Sequence, residues 1–109
     1  MELRKYRWSR HYESAEEELH QHLDARGIAA ERWAAEAGDV FAPHRHPLDK
    51  QLFCAEGSLS LTAAGRTFSL QPGDALDLPA GTVHEAVAGL AGVVCYESPA
   101  PGDNPSLPA

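Results

Sequence analysis

Three imidazoles, at His44, His46 and His84, are the side chains of this chain best placed to do chemistry. His44 and His46 are separated by one residue and flanked by Pro43 and Pro47, which stiffen the pair. On a strand, side chains at i and i+2 point to the same face, so both rings can approach one ion from adjacent directions. His84 arrives some forty residues later, just after the tight turn Pro79-Ala80-Gly81, which would carry its strand back across a barrel. Imidazole suits Zn, Cu, Fe and Ni, and three neutral ligands leave positions open for water or substrate. The plainer alternative is a pair of solvated strand histidines. The placing of His84 in its own patterned segment weighs against it.

The glycines and prolines around these histidines form two ordered motifs. The first contains Gly38, His44, His46 and Gly57, and the second contains Gly73, Pro79, Gly81 and His84. Their spacing resembles that of the cupin superfamily over roughly residues 30–97. The resemblance implies an all-β fold: a cupin-type, RmlC-like double-stranded β-helix (jelly-roll) of six strands. It also implies a divalent metal held by the histidines, a pocket opening at one end, and frequent dimers.

The departures from the family pattern bear on the site. The family's glutamate position falls on Lys50, or on Gln51 if one more residue is counted, with Asp49 adjacent. An ammonium cannot ligate a metal while it keeps its proton. The expectation is therefore a three-histidine site, completed by the Gln51 oxygen or by water. Lys50 either points inward to bind a substrate carboxylate beside the metal, or is turned to solvent with its stem over the barrel mouth. The family's asparagine position is Ala88, which enlarges the interior. Cys54 shares parity with Lys50 and Leu52 and is expected to be a buried small hydrophobe near the site. Cys95 is expected to be plain core.

Around the motifs, the chain divides into an N-terminal arm and helix (1–27), a β-barrel with one pocket (28–98), and a tail (99–109) with four prolines in eleven residues, read as an extended strap. Residues 1–12 could pair with a sheet edge or be exchanged between subunits. One helix is expected from Ser14 to Arg26. Ser14 is its N-cap, with Glu17 completing a capping box, Leu19 and Leu23 form its apolar stripe, and Gly27 ends it. His20 and His22 lie on different faces of this helix and are read as solvated. Beyond Ile28, alternating apolar and polar residues (Leu59 and Leu61 with Ser60, then Phe68 and Leu70 with Ser69) mark short strands between turns, and Val83 to Val87 and Gly92 to Glu97 are expected as two more. Trp8 and Trp33 are read as core or interface packing residues, with pocket aromatics as the alternative; Asp74 and Asp77 are read as turn and surface residues, and Glu85 as facing away from His84.

Composition narrows the function. Acidic residues outnumber basic ones 16 to 9, for a net charge of -7, and no basic cluster appears, so no nucleic acid is expected as partner. No apolar run approaches the ~20 residues that span a bilayer, and Met1 is followed by no signal-peptide stretch, so no membrane is expected. Two cysteines in strand-like runs point to thiols in a reducing, cytoplasmic setting. The chain carries no G-x-S-x-G, phosphate loop or C-x-x-C. The expected protein is a metal-binding barrel for a small-molecule ligand, holding Fe, Zn, Ni or Mn, and a homodimer. Its activity would be that of an oxygenase or isomerase with no evident general base beyond a metal-bound hydroxide. The alternatives are a non-catalytic binding barrel and a metal-free structural relative.

Overall fold

In the computed structural model, which describes residues 1–9 and 16–99, two long strands build the frame: β4 (Lys50–Ala63) and β7 (His84–Pro99). They run antiparallel along most of their lengths, from Lys50 opposite Pro99 to Ala63 opposite His84. The two strands expected over Val83 to Val87 and Gly92 to Glu97 are one, β7. Its ladder with β4 steps over residues 89–92, from Ala88 opposite Leu59 to Val93 opposite Gly57, so the strand continues through a bulge.

Both long strands bend at the same level, where the register slips between Cys54 and Glu56 and again between Gly57 and Leu59. Gly57 and Gly92 have φ of 70° and 74°, in the left-handed region that side chains avoid. A Cβ on Gly57 would run into the carbonyl oxygen of Gly92, so only glycine lets the backbones approach. Bulges of this kind bend a strand and raise its twist.

The bend allows each half of the two strands to recruit different neighbours. One half of the frame carries β6 (Asp74–Leu78) beside β4, β1 (Arg4–Arg7) beside β6, and β2 (Glu31–Ala35) beside β7. The other half carries β5 (Arg66–Leu70) beside β4 and β3 (Val40–His44) beside β7. All described pairings are antiparallel, and seven strands are present where the resemblance implied six. The seventh comes from the N-terminal arm. Its predicted pairing with a sheet edge is made with β6 of the same chain.

Alternation along β4 sorts two cores. Leu52, Cys54, Leu59 and Leu61 point into the barrel with Phe68, Leu70, Leu76 and Leu78. Phe53 and Ala55 point outward and would be exposed were they not covered by helix α1 (Glu16–Ala25). Leu19 and Leu23 of α1 pack there against Ala75 and Tyr96, each contributing about 1.5–3 kcal/mol by leaving water. The helix ends as expected at Gly27. The Ile28 amide donates to Leu23 O and the Gly27 amide to Asp24 O, the double bond of a left-handed helix stop.

The expected N-cap Ser14 lies outside the described residues, as do His11 and residues 100–109 of the tail. Pro99, placed in the tail by the sequence, is the last residue of β7. Asp74 is also corrected: it is buried, not a surface residue. Its carboxylate accepts from Arg7 at 2.9 Å and from the Gln71 amide at 2.8 Å, pinning the arm to the Pro72-Gly73 turn.

Candidate metal centre

His44 ends β3 and His84 opens β7, and the two are register partners. The ladder slips between Phe41 and His44, which turns the end of β3 toward the barrel mouth. His46 lies past the end of β3, in the turn before β4, and hydrogen bonds across to another turn hold it in place. The Gly81 amide donates to His46 O at 2.8 Å, and the Ala80 amide donates to the Asp49 carboxylate at 2.7 Å. Asp49 therefore clamps one turn against the other.

The ligating atoms of His44, His46 and His84 all lie within 4.8 Å of one another. Among the described residues no other His, Cys, Asp or Glu joins this group. The ring centroids are 4.2 Å apart for His44 and His84, 4.9 Å for His44 and His46, and 5.1 Å for His46 and His84. His44 Nδ1 is 2.8 Å from Ala42 O, and His84 Nδ1 is 3.0 Å from Thr82 O. A carbonyl only accepts, so each Nδ1 carries the proton and each Nε2 presents a lone pair. Such a bond from the second nitrogen is the usual way a protein fixes the tautomer of a metal-binding histidine.

The donor set fits a transition metal. Three atoms no more than 4.8 Å apart lie within a circle of about 2.8 Å radius, so one point stands no farther than that from any of them. Closing that circle by less than an ångström gives metal–nitrogen bonds of about 2.0–2.1 Å. The electrostatics agree, because a ligand must be neutral. His46, 9% exposed, is pushed down to about 4, first by burial and then by His84, His44 and Lys50. Burial also lowers His84, against the raising effect of its bond to Thr82 O.

The histidines open onto a cavity of about 330 Å³ between the two halves of the frame. Its walls are largely apolar: Trp33, Phe41, Leu52, Leu59, Leu61 and Leu78. Of the two roles the sequence left open for Trp33, the structure places it as a cavity aromatic, edge-on to Phe41 at 5.2 Å. Glu31 and Glu97 line the same cavity. Burial raises the Glu97 carboxyl, opposed by the charges of Lys50 and His44. Neither glutamate was singled out from the sequence. Glu97 does share a face with Leu52, its register partner, but that pairing belongs to the tertiary fold.

Lys50 is only 3% exposed and its charge acts on both His46 and Glu97, so it belongs to the interior and not to the solvent. Gln51 takes the opposite face of β4. Its amide donates to Tyr6 Oη and to Asp77, each at 3.4 Å, and it lines a separate cavity with Trp8 and His22. The geometry does not bring it to the histidines. Cys54 and Cys95 stand opposite each other in the core, behind the cavity wall. His20, read as solvated, is exposed and also meets Tyr96 Oη at 2.7 Å, whereas His22 is half-buried against Trp8 and Phe53.

The antiparallel frame and the histidine cluster on it match a known family. Residues 31–89 match the model of the cupin domain, and the chain belongs to that family. Among curated proteins none matches the chain. Solved structures share the fold at low identity. A DUF861 family protein from Thermotoga maritima is 15% identical with a TM-score of 0.61, over 90% of this chain and 99% of that one. An RmlC-like cupin from Shewanella frigidimarina is 24% identical with a TM-score of 0.59, over 70% and 69%. A conserved protein of unknown function from Streptococcus pyogenes is 18% identical with a TM-score of 0.57, over 64% of this chain. The chain spans 60% of the length of that last protein.

Proposed function

We propose that this cupin holds one divalent transition metal on His44, His46 and His84 and takes a small organic molecule in the adjoining cavity, as a metal-dependent oxygenase or isomerase. The observation that carries the reading is the convergence of the three histidines, two of them tautomerically set, on the mouth of an apolar cavity of about 330 Å³. Fe, Zn, Ni and Mn are all compatible with this donor set; the ion would supply Lewis acidity, and iron would add oxygen chemistry. The cavity walls exclude water and hold the body of the ligand. Lys50 is proposed to favour an anionic substrate group near the histidines, because its buried charge already acts on His46.

A non-catalytic barrel that binds a ligand or metal is the second reading. It is favoured by the make-up of the histidine cluster, which among the described residues includes no carboxylate; Glu31 and Glu97 line the cavity but do not join the cluster. A reducing, cytoplasmic setting is supported by the free thiols of Cys54 and Cys95. No described helix is long and apolar enough to cross a membrane. A homodimer is supported by the exposed Val40 and Val87, which are register partners on β3 and β7.

Elemental analysis of the purified protein tests the central claim. About one transition-metal ion per chain supports it. No metal after reconstitution with each of the four ions sinks it. Oxygen uptake with small thiols or acids then separates an iron oxygenase from a binding barrel.

A further inference from the structure

The cavity carries a second polar feature, which the metal reading does not use. Glu31 and Glu97 are register partners on β2 and β7, and both side chains line the cavity. Like charges directly across a strand pair are unfavourable; Glu31 keeps contact with solvent, whereas Glu97 is held against the apolar walls, where folding alone gives no reason to set it. Lys50 offsets part of the charge, yet Glu97 Oε2 is buried and meets no donor among the described residues. A buried carboxylate oxygen without a donor carries an unrecovered desolvation cost, and a group that brings a donor recovers it.

We infer that Glu97 is the specificity-determining acceptor of this cavity. The ligand would be a small molecule with an anionic group at the histidines, an apolar body against Trp33 and Leu52, and a hydroxyl or ammonium donor directed to Glu97 Oε2. The inference rests on the proposed metal site for the first of these contacts only. The other two come from the cavity itself. A ligand that ends in a methyl group at this place leaves Oε2 without a partner and displaces any water that served it. A site built to accept a hydrogen bond discriminates against such an analogue far more strongly than an apolar pocket discriminates by size.

The test uses three probes of equal heavy-atom count: ω-hydroxyhexanoate, ω-aminohexanoate and heptanoate. Each is titrated calorimetrically, at pH 8, into protein loaded with Co(II) and into metal-free protein. The cobalt absorption band reports whether the histidines hold an ion. At least one donor-bearing probe is expected to bind tenfold or more tightly than heptanoate. The preference should vanish in Glu97→Leu. Should that variant fail to fold, Glu97→Gln keeps the shape and should cut the advantage of ω-aminohexanoate at least fivefold. Equal affinity of the three probes for the parent protein overturns the inference, as does binding of none of them in either form. A missing cobalt band with the donor preference intact rejects the metal site and leaves the role of Glu97 standing.

Discussion

His44 and His84 face each other across antiparallel strands, the last residue of β3 opposite the first of β7, with ring centroids 4.2 Å apart. Each ring is held from behind by a carbonyl two residues upstream, Ala42 O and Thr82 O. Two of the three clustered histidines are therefore positioned by one strand pair, and the third, His46, by a turn clamped against it.

If the pair acts as a metal clamp, His84→Ala should lower metal affinity by at least about 100-fold, since even an outer-sphere partner is worth about 10–100-fold. Competition with a chromophoric chelator measures this. The metal-free variant should melt close to the metal-free parent, while the rise in melting temperature on adding metal should disappear. Unchanged affinity would show that the ion, if any, sits elsewhere.

The depressed titration of His46 has a consequence for stability. Its folded value of about 4 lies below the usual 6.5, so on acidification the unfolded chain takes up the proton first. The contribution is whole above about pH 6.5 and is lost as pH falls toward 4. Glu97, shifted upward, acts in the opposite sense, so the comparison must be with a variant. Urea melts of metal-free His46→Asn across this window should show a shallower acid decline than the parent. Parallel curves would mean that His46 does not titrate as its burial implies.

The bend at Gly57 should be the most sensitive backbone position. Gly57→Ala combines a left-handed φ of 70° with a collision against Gly92 O, and should destabilise by at least about 3 kcal/mol. Gly38→Ala is the control. It shares a positive φ but meets nothing within 4 Å, and should lose only about 1–2 kcal/mol. Denaturant unfolding of the two variants settles the ranking, and equal losses would remove the steric argument.

Cys54 and Cys95 lie opposite each other with no exposed surface. The Cys95 thiol is held well above its usual range, first by its hydrogen bond to Cys54 and then by burial. Neither should react with a thiol-directed disulfide reagent while the protein is folded, and both should react in denaturant. Rapid labelling of the native protein would show that this part of the core opens.

Residue type and local spacing carried most of the fold and the centre of the site. The i, i+2 histidines, the turn at Pro79–Gly81, the helix stop at Gly27 and the alternation at Leu59–Leu61 are all relations between near neighbours in the chain, and local geometry is enough to read them. What the folded molecule alone decided was which distant residues share a space. The bend at Gly57 and Gly92 folds β4 and β7 over, which places Glu97 in the same cavity as His84, thirteen positions earlier on the same strand. Lys50 and Gln51 are adjacent in sequence, and the pleat sends one to the interior and the other to the arm. Period-two alternation says that two such neighbours part, but only the sheet's closure says which side is inside. The chain's own chemistry therefore names the three candidate histidines, and the long-range strand pairing names the residues that share their cavity.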